Sequence, residues 1–180
     1  MRVAMLGPYP EKEGQLLGGV EAVMICLLEH LAALPDVELE VLTCQPGLAA
    51  PYSRRVSRHG TRGWVVHYMP RRPLGRFTFH LRERRVMANK LVEIGPDVVH
   101  GQGSGLYAAA ALDTPLPAII TVHGISFREA RIYQGGANRL RGALDAAFER
   151  RTLARAKNII AISPYVRDEF AALAQARVFD

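Results

Sequence analysis

The sequence predicts an α/β fold: a doubly wound, Rossmann-like parallel sheet in a single domain. Three observations carry that prediction. Short runs that are apolar on both faces alternate with longer stretches whose apolar residues recur at helical spacing. Most of the short runs stop at a glycine, proline or histidine that opens a loop. And 180 residues, 49% hydrophobic and 22% charged, are enough for one core that buries roughly 70% of the unfolded chain's surface.

The elements follow in order. Val3-Ala4-Met5-Leu6 reads as a buried strand ended by Gly7-Pro8. After a glycine-bearing loop, Val20, Val23, Met24, Leu27, Leu28, Leu31 and Leu34 mark a helix that Pro35 stops. Leu39-Glu40-Val41-Leu42 is a second strand and Trp64–Met69 a third. Leu81 to Ile94 is a helix ended by Gly95-Pro96. Asp97-Val98-Val99-His100 is a strand running into a glycine loop, and Ala118–Val122 a strand ending at His123-Gly124. Leu140, Leu144, Ala147, Phe148 and Leu153 mark a helix, and Asn158–Ile162 a strand. Ser163-Pro164 opens a last helix, with serine as N-cap and proline in the first turn. Arg177-Val178-Phe179 begins a further strand. Crossovers between parallel strands are right-handed, so ligands are expected at the carboxyl ends of the strands.

Several chemistries are excluded by spacing. None of Lys12, Lys90 and Lys157 follows a glycine, so there is no P-loop. Gly101-Gln102-Gly103-Ser104-Gly105 follows a strand, but the third glycine of a dinucleotide loop would fall at Leu106, and Asp113 is too near for a ribose carboxylate. There is no H-E-x-x-H and no G-x-S-x-G, and the six histidines form no ligand pair at helical spacing, so neither metal nor cofactor is expected. No run of about 18 apolar residues exists to span a membrane. The apolar stretch at the N-terminus is too short for a signal peptide, and Cys26 and Cys44 have no metal or redox spacing. A reduced, cytoplasmic setting is the expectation, with peripheral attachment to the inner face of a membrane as an option.

What remains is a set of ligand candidates. Gly18-Gly19-Val20-Glu21 stands at the mouth of the first helix, where close backbone approach and the positive helix end favour a diphosphate. Tyr9 sits at the tip of the first strand, where it could stack on a polar ligand or pack on its own loop. His123 and Gly124 end one strand, and His100 and Gln102 end another. The net charge is +6, and twenty of the 23 basic residues are arginine. Ten arginines lie between Arg54 and Arg85 with Glu83 as the only acid, a pattern that attracts anions. Leu74, Phe77 and Phe79 interleave with Arg71, Arg72, Arg76 and Arg82, which suits an acidic membrane surface or a single-stranded nucleic acid. No RNA- or DNA-binding signature accompanies them, which weighs against nucleic acid.

Taken together, Gly7-Pro8-Tyr9-Pro10, Gly18-Gly19-Val20-Glu21, Pro96–Gly101, Thr121-Val122-His123-Gly124 and Ala154–Ser163 resemble, in that order, the N-terminal domain of a retaining GT-B glycosyltransferase of the group-one, family-four-like kind. The resemblance implies two Rossmann-like domains with the active site between them. Residues 1–180 would be the acceptor-side half, with the C-terminal donor-binding domain absent. The acidic E-x7-E element of that domain is not here: Glu129, Glu149 and Glu169 are spaced too widely. By the resemblance, Gly18 and Gly19 belong to the donor diphosphate, His123 to the transferred sugar as the catalytic residue, and Tyr9 to the acceptor, while Glu21 matches the motif with its role open. Position at the strand ends adds Glu21 and Gly124 on the donor side and His100 and Gln102 on the acceptor side. Arg71, Arg72 and Arg76 offer an anion or membrane surface. A nucleotide sugar is the implied co-substrate, with no metal, and a lipid, glycan or small metabolite the acceptor. Two other readings stand beside it: a non-catalytic module for a phosphorylated ligand or nucleic acid, and half of a UDP-sugar epimerase.

Overall fold

The structure, a computed structural model, describes every residue except 13, 16, 17, 58, 59, 130–134 and 180. Arg58 and His59 therefore lie outside the described residues. The strands are β1 (Arg2–Leu6), β2 (Glu38–Pro46), β3 (Tyr52–Val56), β4 (Trp64–Arg71), β5 (Val98–Gln102), β6 (Ala118–Val122), β7 (Asn158–Ala161) and β8 (Arg177–Phe179). The helices are α1 (Gly19–Ala32), α2 (Leu81–Ile94), α3 (Leu106–Leu112), α4 (Ser126–Glu129), α5 (Gly136–Leu153) and α6 (Pro164–Phe170). A 3-10 turn covers Gly75–Thr78.

These strands form one sheet in the order β3-β4-β2-β1-β5-β6-β7-β8. Every neighbouring pair is parallel except β3 with β4. β1 pairs with β2 on one side and β5 on the other. Strand order reverses there, and with a fixed crossover hand the helices on the two sides must lie on opposite faces. They do. Met24, Leu28 and Ala32 of α1 pack with Val3, Met5, Val41 and Val66 on one face. Met87 and Leu91 of α2, Ala108 and Ala111 of α3, Leu153 of α5, and Val166 and Phe170 of α6 pack on the other. The expected doubly wound α/β fold is what forms.

The local reasons are those of the sequence. α1 buries Glu21, Met24, Leu28 and Ala32, one stripe at helical spacing. Gly95 ends α2 with φ 61°, a left-handed cap that donates its N–H to Leu91 O. Ser163 caps α6, its hydroxyl accepting from the Val166 N–H at 3.3 Å. Some elements had no sequence reading. β3 carries Arg54 and Arg55 on an edge, so it lacks the apolar signal of its neighbours. α3 is short and alanine-rich, with no polar side to reveal a period.

α3 also shows how tightly this side is packed. A Cβ at Gly101 on β5 would meet Ala108 Cα at 3.1 Å and Ile120 Cδ1 at 3.0 Å. The G101A substitution must push a helix backbone away from the sheet. It is expected to cost about 1–3 kcal/mol, as overpacking does, read as a lower urea midpoint with an unchanged slope. A midpoint equal to that of the unsubstituted protein would show that α3 yields freely.

Candidate active site

The crevice at the strand-order reversal is built from the carboxyl ends of β1, β5 and β6. Side chains on a strand alternate in direction, so His100 and Gln102 share one face of β5, and Thr121 and His123 continue one parity on β6. These four side chains join in a line. His100 Nε2 lies 2.7 Å from Thr121 Oγ1 and 3.2 Å from Gln102 Nε2. Gln102 Oε1 lies 2.6 Å from His123 Nε2.

The amide decides which nitrogens carry protons. Gln102 Nε2 can only donate, so His100 Nε2 accepts and that ring holds its proton on Nδ1. Gln102 Oε1 can only accept, so His123 donates from Nε2. Nδ1 of a neutral His123 is thus the acceptor it can offer a ligand hydroxyl. Burial, and then the nearby His123, pulls His100 down to about 4. Burial also holds His123 below its ordinary value. Both rings are neutral at pH 7.

Gly7 ties this line to α1. A Cβ there would lie 2.5 Å from Met24 Sδ and 3.1 Å from Gln102 Cβ, so strand, helix and amide meet where only a glycine fits. Glu21 stands one turn closer to the helix start than Met24, buried on the same inner stripe. Gly18 is the N-cap, and Gly18 and Gly19 are exposed. Among the described residues a Cβ at either would meet nothing within 4 Å, and the φ of −170° at Gly18 is open to any residue. No described residue requires glycine at these two positions.

On the far side, the loop after β5 is anchored by Glu149 of α5. This carboxylate is fully buried and accepts from the Ser104 hydroxyl and, at 2.9 Å, from the Phe127 N–H. It holds Gly103–Gly105 against the segment that follows His123-Gly124. Gly124 itself is half-buried.

Two residues expected at a ligand are placed otherwise. Tyr9 is 2% exposed. Its ring meets Trp64 and Tyr68 edge-on, its hydroxyl accepts from Trp64 Nε1 at 3.2 Å, and its carbonyl accepts from Gln45 Nε2 at 2.6 Å. It is a core residue that fixes the loop after β1, with no surface left for an acceptor. Gln102 is likewise 2% exposed, both ends of its amide taken by the two histidines, so it positions them rather than touching an acceptor. Arg71, Arg72 and Arg76 line a different cleft, beyond the ends of β2 and β4. The sequence assigned Thr121, Ser104 and Glu149 no part in the site. Strand parity with His123 was a signal for Thr121; nothing local marks Glu149, which reaches Ser104 across 45 residues. Among the described residues no group of His, Cys, Asp and Glu side chains could hold a metal ion, and no helix is long and apolar enough to cross a membrane.

A doubly wound sheet with a polar, histidine-lined crevice at its strand-order reversal defines a Rossmann-like domain with a ligand site at the strand ends. The sequence profile of Glycosyltransferase Family 4 matches residues 17–178, and the chain belongs to that family. Its fold is similar to sucrose-phosphate synthase from Thermosynechococcus elongatus, with a TM-score of 0.65 at 15% identity over 98% of this chain and 47% of that one. It is also similar to a structure described as trehalose-6-phosphate from E. coli bound with UDP-2-fluoro glucose, with a TM-score of 0.54 at 14% identity over 95% of this chain and 42% of the other. The chain spans less than half the length of these two structures. No curated protein matches its sequence.

Two outcomes follow. Nitrogen-detected NMR at pH 7.5 should find His123 protonated on Nε2 and His100 on Nδ1; the reverse assignment would mean that the Gln102 amide faces the other way. The second concerns stability. The unfolded chain takes up a proton near pH 6.5 that folded His100 refuses until about 4. The corresponding stability is therefore present in full above pH 6.5 and lost as pH falls toward 4, by on the order of 2–3 kcal/mol. Denaturant titrations between pH 7 and pH 4.5 should show this slope, and H100N should flatten it. An unchanged slope in H100N would contradict the assignment.

Proposed function

We propose that this chain is the acceptor-side half of a retaining glycosyltransferase that moves a sugar from a nucleotide sugar to a hydroxyl acceptor. The observation that carries the reading is the fixed histidine line beside the start of α1. A helix N-terminus carries about half a positive charge together with unpaired N–H groups. A donor diphosphate placed there would be held by the backbone at Gly18 and Gly19, two positions where a Cβ would meet none of the described residues within 4 Å. His123, its Nε2–H already engaged by Gln102, would accept from a hydroxyl of the transferred sugar through Nδ1. As the sugar–oxygen bond breaks, the diphosphate leaves with the bonding pair, the acceptor oxygen bonds the sugar carbon, and the hydroxyl proton is released. The helix end would stabilise the charge growing on the leaving group. Membership of Family 4 supports the reaction class. Retention and a cytoplasmic setting at a membrane face belong to this proposal as expectations.

The test uses the full-length protein and a panel of UDP-, GDP- and ADP-sugars, following nucleoside diphosphate release. G19V should leave stability within about 1 kcal/mol, since its side chain enters open space. It should nonetheless raise the donor KM about tenfold or more by blocking approach to the backbone. H123A should lower kcat by about a hundredfold or more. Wild-type turnover in both variants would refute the placement of donor and sugar.

A further inference from the structure

The arginine segment singled out in the sequence does not spread over a flat surface. It folds around a concave cleft of about 850 Å³ beyond the carboxyl ends of β2 and β4. Arg71, Arg72, Arg76, Arg82 and Arg141 line it, with His80 and a single acid, Glu83. Arg141 comes from α5, far along the chain, so the sequence cluster is completed by a distant element.

Three observations set this cleft apart from a solvated basic face. The first is charge pairing. Arg76 is bound to Asp145 through Nε at 2.5 Å. Of the other arginines in the chain, Arg2, Arg84, Arg128 and Arg155 are held by Glu38, Asp113, Glu169 and Asp113. Among the described residues, the guanidinium groups of Arg71, Arg72, Arg82 and Arg141 have no ion pair. Glu83 is one negative charge against these four guanidinium groups, and its Oε1 is already engaged by the Arg72 N–H at 2.9 Å. The second is His80, which is 7% exposed and whose Nδ1, turned against Gly75, makes no hydrogen bond among the described residues. A buried polar atom without a partner costs about 1–3 kcal/mol. The third is backbone strain. Phe79 and His80 have φ of 48° and 53°, the only described non-glycine residues in the left-handed region. Two consecutive strained residues persist only where their surroundings impose them, and such strain collects at ligand sites. Here it carries the chain from the 3-10 turn into α2, stacks Phe79 on Phe148 with ring centroids 5.2 Å apart, and places His80 in the cleft wall.

We infer that this cleft binds a phosphate-bearing ligand, with Arg71, Arg72 and Arg141 as the charge-assisted donors and His80 in its wall. Arginine suits this because its planar fork meets phosphate oxygens two at a time. The phosphate could come from a soluble monoester or from a lipid headgroup. Leu74 and Phe77 stand 71% and 63% exposed between Arg72, Arg76 and the strained pair, where they could enter a bilayer surface. On the transferase reading above, and resting on it, the bound molecule is the acceptor, so the acceptor carries a phosphate.

The test measures binding without any nucleotide sugar, so its failure leaves the donor crevice untouched, and loss of transfer leaves this cleft untouched. Calorimetry is run with sn-glycerol 3-phosphate, with glycerol as control, and sedimentation with phosphatidylglycerol and phosphatidylcholine vesicles. R71Q/R72Q and R141Q are compared with R151Q/R177Q, which removes exposed arginines elsewhere. Circular dichroism confirms that each variant is folded. Binding of glycerol phosphate that weakens about tenfold or more in the cleft variants only supports a soluble ligand. Binding to phosphatidylglycerol vesicles, competed by glycerol phosphate and lost in the same variants, supports a headgroup. Equal loss in R151Q/R177Q, or no binding to either probe, overturns the inference.

Discussion

β1 is hydrogen-bonded to β2 on one side and to β5 on the other, and the rest of the molecule depends on that position. A chain that leaves a central strand first one way and later the other, always with right-handed crossovers, must put its helices on opposite faces. The loops after β1 and β5 then part, and a crevice opens between them at the carboxyl ends. Gly7 sits at that junction, where a Cβ would lie 2.5 Å from Met24 Sδ of α1 and 3.1 Å from Gln102 Cβ of β5. A side chain there would push the helix end that would face a diphosphate away from the histidines that would face a sugar.

Gln102 converts this placement into chemistry. A buried amide has one end that donates and one that accepts, so it imposes opposite proton positions on His100 and His123. Thr121 meets His100 from the neighbouring strand. Glu149 fixes the loop above, holding Ser104 and Phe127 together from α5. Gln102, Thr121, Ser104 and Glu149 are buried and paired, the two histidines are half-buried and paired to them, and such linked polar groups hold one another in place. The exposed members, Gly18, Gly19 and the free edge of His123, are the ones left to meet a ligand.

Much of this could be read in the sequence. Apolar runs and helical spacing located seven of the eight strands and the major helices, because burial on both sides leaves an unbroken apolar run and burial on one side leaves a stripe. β3 escaped because an edge strand carrying two arginines lacks that signal, and α3 because a short, mostly buried alanine-rich helix has no polar side. At the site, chain position correctly put His100, Gln102 and His123 at strand ends. It could not separate contact from support. Tyr9 and Gln102 looked like ligand contacts because a polar or aromatic group at a strand tip usually faces out; both are consumed by partners distant in sequence, Trp64 for Tyr9 and His123 for Gln102. The arginine segment was plain in composition, but the concavity and the completing Arg141 were not, since both depend on α5 packing against the 3-10 turn.

The most direct measurement is a crystal structure of the full-length protein with a nucleotide sugar bound. The account places the diphosphate at the first turn of α1, with its oxygens within hydrogen-bonding distance of the backbone at Gly18 or Gly19 and the sugar against His123. A diphosphate seated elsewhere, with His123 facing only solvent, would contradict it.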